Sequence, residues 1–173
     1  HRVAGEWLRA AGEQDALVLA EHFDRGGARR EAIRWFHRAA DQALEGNDLE
    51  AVVDRVARAV EAGAAGEVLG SLRALESLAR YWQSDYAGAR ERGERAHALL
   101  TEGTRDWYRA LGSATVASAR LGDFDGVDAF FDRVVRSTPA ADAAAEQLIA
   151  LCRGTFQLIF NGRFQEADRV LQR

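Results

Sequence analysis

The stretch Gly122-Asp123-Phe124-Asp125-Gly126-Val127 decides the fold, because it ends one helix and begins another within a few residues. Glycine adopts the left-handed backbone that often follows a helix. An aspartate just before an apolar-periodic segment caps the next helix. The same order of turn, large residue and short apolar residue three positions later recurs at Asn47-Asp48-Leu49 with Val52, Ser84-Asp85-Tyr86 with Ala89, and Gly162-Arg163-Phe164 with Ala167.

The spacing of this phrase predicts a helical repeat. Positions 84, 122 and 162 are 38 and 40 residues apart, a period that is typical of stacked helical hairpins. The chain has one Pro, so almost nothing interrupts a 3.6-residue apolar pattern. We predict an all-α fold of antiparallel hairpins, with helices over about 2–11, 13–25, 29–45, 49–62, 67–83, 86–101, 105–121, 124–137, 141–161 and from 164 to the end.

Residues 1–173 are expected to form a single helical-repeat domain. Its N-terminal helices, over 1–62, are less regular, and three clearer hairpins follow over 67–173. Because the sequence contains no Met and opens within a helical pattern, we expect it to be a fragment of a longer protein.

The composition argues against two classes of partner. There are 23 basic residues against 27 acidic ones, which gives a net charge of -4 and no global attraction to nucleic acid or to an anionic membrane. No apolar run is long enough to span a bilayer and no leader peptide is recognisable, so we expect a cytoplasmic protein. The single Cys fits a reducing compartment, and Cys152 is predicted to be buried filler. The four Trp residues are predicted to pack between hairpins.

The repeated phrase resembles the tetratricopeptide repeat, whose second helix follows a Gly-Asp-aromatic turn. The residues that carry the resemblance are Gly122, Asp123, Phe124, Val127, Phe131, Val134 and Pro139, together with Gly162, Phe164, Ala167 and Leu171, and with Asp85, Tyr86, Ala89 and Ala96. Several positions depart from the family pattern: Glu76 replaces a Leu, Gly93 replaces a large residue, Val127 and Val134 replace Ala, and Thr115 and Thr155 replace a small Gly or Ala. The resemblance implies a curved, right-handed solenoid that binds a partner on its concave face.

The beginning of the chain carries a second resemblance. The segments Trp7-Leu8, Val18 to Phe23, Gly26-Gly27 and Ala32 to Phe36 look like the helical region that follows the nucleotide-binding module in large bacterial signalling ATPases. Some members of that class carry a Ser/Thr kinase domain or a DNA-binding domain. The resemblance implies a C-terminal sensor or scaffold arm of such a protein.

Candidate partner-binding residues follow from the tetratricopeptide resemblance, in which the first helix of each hairpin lines the concave face. The polar residues on those helices are Arg73, Arg80, Arg109, Ser113, Arg120, Arg153, Gln157 and Asn161. An Arg-rich groove would favour acidic peptide segments or a C-terminal carboxylate. The alternative is that these side chains only solvate an amphipathic helix face.

The residue patterns do not predict an enzyme, a metal site or a cofactor. A phosphate-binding loop is excluded by the absence of Lys, and the four His show no zinc-like spacing. We therefore predict a non-catalytic protein-interaction or scaffold module that binds a protein or peptide partner, or other domains of its parent chain. The alternatives are a small-molecule sensor arm that regulates an attached ATPase or kinase, and a module that self-associates; the sequence leaves the oligomeric state open.

Overall fold

A computed structural model describes residues 1–172, which form ten α-helices and no strand. This confirms the all-α prediction, and the helix bounds agree with the predicted ones to within a few residues. The helices are α1 (Arg2–Ala10), α2 (Ala16–Arg25), α3 (Arg29–Glu45), α4 (Leu49–Glu61), α5 (Gly66–Trp82), α6 (Tyr86–Leu99), α7 (Arg105–Arg120), α8 (Phe124–Arg136), α9 (Ala144–Phe160) and α10 (Phe164–Leu171). The last helix was predicted to continue to the end of the chain, and Arg173 lies outside the described residues.

The recurring turn has the same geometry wherever it occurs. One residue with positive φ closes the preceding helix: Asn47 at 57°, Ser84 at 65°, Gly122 at 76° and Gly162 at 75°. The aspartate that follows then accepts a hydrogen bond from a backbone N–H in the first turn of the next helix, as Asp48, Asp85 and Asp123 do. At the fourth turn Arg163 stands in that place, and α10 has no side-chain cap.

Two predicted helix starts were too early. Asp15 caps α2, which begins at Ala16, because the Glu13 carboxylate accepts hydrogen bonds from the backbone N–H groups of Gln14 and Asp15 in the preceding turn. Before α9, the backbone N–H of Ala140 donates to the Gly103 carbonyl at 2.9 Å. This bond ties the segment to the start of α7, and the helix begins only at Ala144.

Each odd-numbered helix from α3 onwards contacts the next odd-numbered helix and the even-numbered helix between them. Thus α5 packs on α3, α4, α6 and α7, while α10 packs on α9. The largest apolar cluster joins α2 to α5, with Phe23, Phe36 and Leu75 at most 1% exposed. Smaller clusters connect α5 and α6 with α7, and α7 with α8, α9 and α10.

Helix α7 is enclosed on all sides. Every residue from Ala110 to Ala119 is buried, and most of them are small. Contacts with α5, α6, α8 and α9 account for this burial. A helix whose whole circumference is apolar or small is typical of the interior of a helical assembly.

The structure corrects two predictions about single residues. Trp35 and Trp107 are buried, at 9% and 5% exposure, but Trp7 and Trp82 are 68% and 60% exposed and do not pack between helices. Cys152 is exposed rather than buried, because it lies on the side of α9 that faces away from α7.

Candidate binding groove

An open groove of about 1230 Å³ runs across α3, α5 and α7. Its floor and walls come from the first halves of α5 and α7, from one face of α3, and from the turns that precede α5 and α7. It is lined by charged and polar side chains together with a few apolar ones such as Ile33, Val68 and Leu100. A wide, polar opening of this kind suits an extended segment or a polar ligand better than a small apolar one.

Three side chains, one each from α3, α5 and α7, meet in the groove. His37 of α3 and Ser71 of α5 are 34 residues apart in sequence, and His37 Nε2 lies 2.7 Å from Ser71 Oγ. Asp106 of α7 follows 35 residues after Ser71 and accepts a hydrogen bond from the same hydroxyl. The three residues are not at equivalent repeat positions, since the turns at Asn47, Ser84 and Gly122 are 37 and 38 residues apart; each residue lies about one helical turn nearer to the start of its helix than the one before it.

Two more charged residues close this network. Asp41 Oδ2 lies 3.4 Å from His37 Nδ1. The Arg109 guanidinium lies 3.3 Å from Asp106 Oδ1 and 3.9 Å from Asp41 Oδ1. The network therefore connects α3 with α7 directly as well as through Ser71, and it fixes the spacing of the three helices that form the groove.

The Asp41–His37–Ser71 arrangement resembles a nucleophilic triad in outline, but its hydrogen bonds run in another direction. A hydroxyl has one proton, and Ser71 donates it to Asp106, so His37 Nε2 is the donor to the Ser71 oxygen. In a triad the histidine instead accepts the serine proton. The negative charge of Asp106 beside Ser71 also opposes the oxyanion that acyl transfer would create. The arrangement is therefore suited to holding the groove in shape.

The α3 wall presents two arginines whose charge is not used within the described part of the chain. Arg30 and Arg34 are exposed and lie one turn apart on α3, and no described carboxylate oxygen is within 4 Å of either guanidinium. On the other wall, Arg105 is already held by Glu146 of α9 at 2.7 Å. That hydrogen bond raises the pKa of Arg105 above its ordinary value.

Two of the predicted binding residues, Arg73 and Arg80, lie outside the groove. Both bind the carboxylate of Glu76, which is only 3% exposed, and Arg92 of α6 binds it as well at 3.0 Å. Burial alone would raise the pKa of Glu76, but the hydrogen bonds from the three guanidinium groups outweigh it and hold that pKa below its usual value. Arg80 also binds Asp85 at 2.7 Å.

The predicted residues on α9 are brought together on one side of that helix but not in the groove. The Arg153 guanidinium carbon lies 5.4 Å from the Tyr81 ring centroid, and burial lowers the pKa of Arg153. Gln157 is 6% exposed, and Asn161 is exposed and donates to the Gln157 carbonyl at 2.8 Å.

On α7 the predicted residues are separated. Ser113 is fully buried and donates to the Arg109 carbonyl at 3.0 Å. Arg120 is exposed, lies over the Tyr86 ring at 5.2 Å, and donates to the Tyr86 hydroxyl at 3.2 Å. Of the eight predicted residues, all within the described part of the chain, only Arg109 lines the groove.

The sequence interpretation did not single out His37, Ser71 and Asp106, nor the two arginines on α3. Repeat spacing could not have found the first three, because their separations of 34 and 35 residues differ from the 37 and 38 residues between the turns. Their contact depends on how α3, α5 and α7 pack against one another.

Neither a metal site nor a membrane span is found among the described residues. No group of three or more His, Cys, Asp or Glu side chains is arranged to hold a metal ion. None of the helices found over residues 1–172 combines the length and the apolar character that crossing a bilayer requires. Comparison with protein-family models, with curated proteins and with solved structures gives no match to the chain.

Proposed function

We propose that the helices stack as antiparallel hairpins in a tetratricopeptide-like, right-handed solenoid, with α3, α5, α7 and α9 along its inner side. The contacts between successive odd-numbered helices support this arrangement. So do the short connections, for example the three residues 46–48 between α3 and α4, since a short connection reverses the chain direction.

We infer that the groove is a recognition site for a segment of a partner protein, within a larger bacterial signalling or regulatory protein, and that the chain is not itself catalytic. The observation that carries this proposal is the groove itself, with two guanidinium groups on its α3 wall that pair with no carboxylate among residues 1–172. Arginine binds carboxylates in a bidentate geometry, so the partner segment is expected to carry acidic side chains near Arg30 and Arg34.

The size of the groove fits an extended peptide. Packed helix axes lie about 8–10 Å apart, so α3 and α7 are separated by roughly 20 Å across α5. An extended chain rises about 3.3 Å per residue, and about six residues therefore span that distance. The half-buried network of His37, Asp41 and Arg109 supplies further polar contacts beneath such a segment.

Selection from a displayed peptide library tests the proposal, because it can be carried out before the partner protein is identified. Enriched peptides should carry Asp or Glu, and a fluorescein-labelled enriched peptide should bind the wild-type protein saturably. The double variant Arg30→Glu and Arg34→Glu should weaken that binding by about 30-fold or more, since two charge-assisted contacts become repulsive.

The matched control reverses two exposed arginines outside the groove, Arg95→Glu and Arg136→Glu, which bind acidic residues on their own helices. It changes the net charge equally and should leave the peptide affinity within about twofold. Equal losses in both double variants would mean that the attraction is only a net-charge effect, and a selection that enriches no acidic peptide would refute the proposed ligand class.

A further inference from the structure

The outward side of α9 is apolar along its whole length. Its exposed residues are Ala144, Ala145, Leu148, Ile149, Cys152, Phe156, Ile159 and Phe160, which we name the α9 outer face. The five large aliphatic and aromatic side chains among them are 44–66% exposed, and the rings of Phe156 and Phe160 stack at 6.0 Å. No exposed residue of α9 is charged. A contiguous apolar face of this kind marks an interaction surface.

The α9 outer face corresponds to a face of α7 that another helix covers. The turns at Gly122 and Gly162 are 40 residues apart, so Leu148, Cys152 and Ile159 correspond to Tyr108, Gly112 and Ala119 of α7. All three α7 residues are buried.

The α7 positions are buried by α9 itself. A Cβ on Gly112 would lie 3.3 Å from that of Ala150, and Ala119 packs with Leu158. The α9 outer face therefore has the position and the apolar character of an inter-helix surface, and no described helix covers it.

We propose that a second copy of this chain covers the α9 outer face, with the two α9 helices antiparallel about a twofold axis at Cys152. In this arrangement, residues equally distant from Cys152 meet across the axis. Leu148 lies opposite Phe156 of the other copy, Ala145 opposite Ile159, and Ala144 opposite Phe160. Ile159 and Phe160 thus each meet an alanine, which leaves room for the larger side chain.

Charge and area both favour this occupant. In an isologous contact the same patch meets itself, so a charge near the twofold axis would lie close to the identical charge of the second copy. The α9 outer face has no charged residue and avoids that repulsion. Five half-exposed large side chains on each copy, at roughly 100 Å² each, bury about 1,000–1,200 Å² in total with the small residues. This is the lower end of the range for specific interfaces, so we expect a reversible dimer that dissociates at micromolar concentrations.

Sedimentation velocity over about 1–200 µM tests the dimer. The wild-type protein should shift from monomer to dimer within this range, and Phe156→Asp should remain monomeric because the contact would bury a carboxylate. Phe156 is 60% exposed, so the circular dichroism spectrum and the melting temperature should not change at the lowest concentration, where the wild-type protein is also monomeric. Ile159→Arg, on the same face, gives a second test, and Val3→Asp, at a 72% exposed position on α1, is the matched control.

Cys152 is the single cysteine of the chain, so crosslinking can test the position of the twofold axis. Mild oxidation should link Cys152 to Cys152 of the second copy, since helices that cross there bring the two sulfurs within disulfide reach. Phe156→Asp retains the cysteine and should lose the crosslink, which separates a specific dimer from random collision. Cys152→Ser should abolish the crosslink and keep the sedimentation shift.

Three results would overturn the inference. If the wild-type protein is monomeric at every concentration, a second copy does not cover the α9 outer face. The same holds if the monomer binds an amphipathic helical peptide on this face. A dimer that is insensitive to Phe156→Asp uses another surface. A dimer that is sensitive to that change but forms no Cys152 crosslink lacks the proposed twofold axis.

Discussion

Ser84 shows how one backbone angle is set by its place in the fold. Its φ of 65° lies in the left-handed region, where glycine is favoured, and the equivalent turns at 122 and 162 use glycine. Asn47 and Ser84 hold the same conformation with a side chain, which costs about 1–2 kcal/mol for Ser and less for Asn, whose short polar side chain can hydrogen-bond locally. The recurring turn is therefore a backbone requirement, a residue with positive φ, which Asn, Ser or Gly meets in different repeats.

Exchanging serine and glycine between two of these turns tests this requirement. Ser84→Gly should raise the free energy of unfolding by about 0.5 kcal/mol, because relief of the left-handed strain slightly exceeds the added entropy of the unfolded chain. Gly122→Ser, at a φ of 76°, should lower it by about 1 kcal/mol. Urea denaturation measures both variants, and a change of the same sign in the two would contradict the argument.

Glu76 is a buried carboxylate at a position where the resemblance to the tetratricopeptide repeat implies a Leu. The carboxylate is stable in the core because Arg73, Arg80 and Arg92 all bind it. Glu76→Gln should lower stability at neutral pH by about 2–3 kcal/mol, since the guanidinium groups lose their common acceptor. Glu6→Gln is the control, because Glu6 forms an exposed ion pair with Arg2, and such pairs contribute less than about 1 kcal/mol.

The stability difference between the wild-type protein and Glu76→Gln should depend on pH. The pKa of Glu76 is lowered in the folded protein, so its ion pairs contribute fully above the ordinary glutamate value of about 4.3. That contribution is lost as the pH falls through the lowered pKa of the folded state. The stability difference between the wild-type protein and Glu76→Gln, followed by chemical denaturation from pH 7 to pH 3, should therefore narrow in the acidic part of the range.

At the scale of the element, α6 carries a glycine, Gly93, where it packs against α7. A Cβ on Gly93 would lie 2.9 Å from the Ala110 carbonyl oxygen and 2.9 Å from the Ala114 Cβ. The α6 backbone therefore approaches α7 more closely than a side chain at this position would permit. This close approach also explains part of the enclosure of α7.

Gly93→Ala should therefore destabilise the protein by about 1–3 kcal/mol, because two helices must separate to admit the methyl group. Helix propensity alone predicts a gain of about 1 kcal/mol for the same change. The sign of the change in the urea midpoint decides between packing and propensity. A higher midpoint for Gly93→Ala would show that α6 and α7 can separate at no cost in stability.

The helices were predictable and the groove largely was not, for a physical reason. Helix ends depend on local signals, such as the caps at Asp48, Asp85 and Asp123, and these can be read directly from the sequence. Whether an arginine is free depends on which carboxylates other helices bring near it. Arg73 is bound by a buried glutamate, whereas Arg30 meets no described acid, and their local sequences do not distinguish them.

At the scale of the whole molecule, the apolar core is unevenly distributed. One large cluster joins α2, α3, α4 and α5, whereas the C-terminal half is held by several smaller clusters. The first and last helices, α1 and α10, pack mainly on one neighbour each. An array of this kind opens locally from its weakest contacts.

Native-state hydrogen exchange should therefore show a gradient along the chain. Amides of α3, α5 and α7 should exchange slowest, and those of α1 and α10 should exchange fastest, because each terminal helix packs mainly on one neighbour and covers only the edge of one apolar cluster. Mass spectrometry of peptic fragments measures this order. Uniform protection from α1 to α10 would indicate that the chain unfolds as a single unit instead.

The enclosure of α7 has a consequence for the mutational tolerance of the protein. Ten consecutive positions, Ala110 to Ala119, lie against neighbouring helices on every side, and most admit only small side chains. Substitutions that enlarge them would disturb helices on both sides at once, whereas α3 can exchange its exposed residues without disturbing the core. Divergent copies of this sequence should therefore keep α7 nearly constant in side-chain volume while the residues lining the groove change with their ligand.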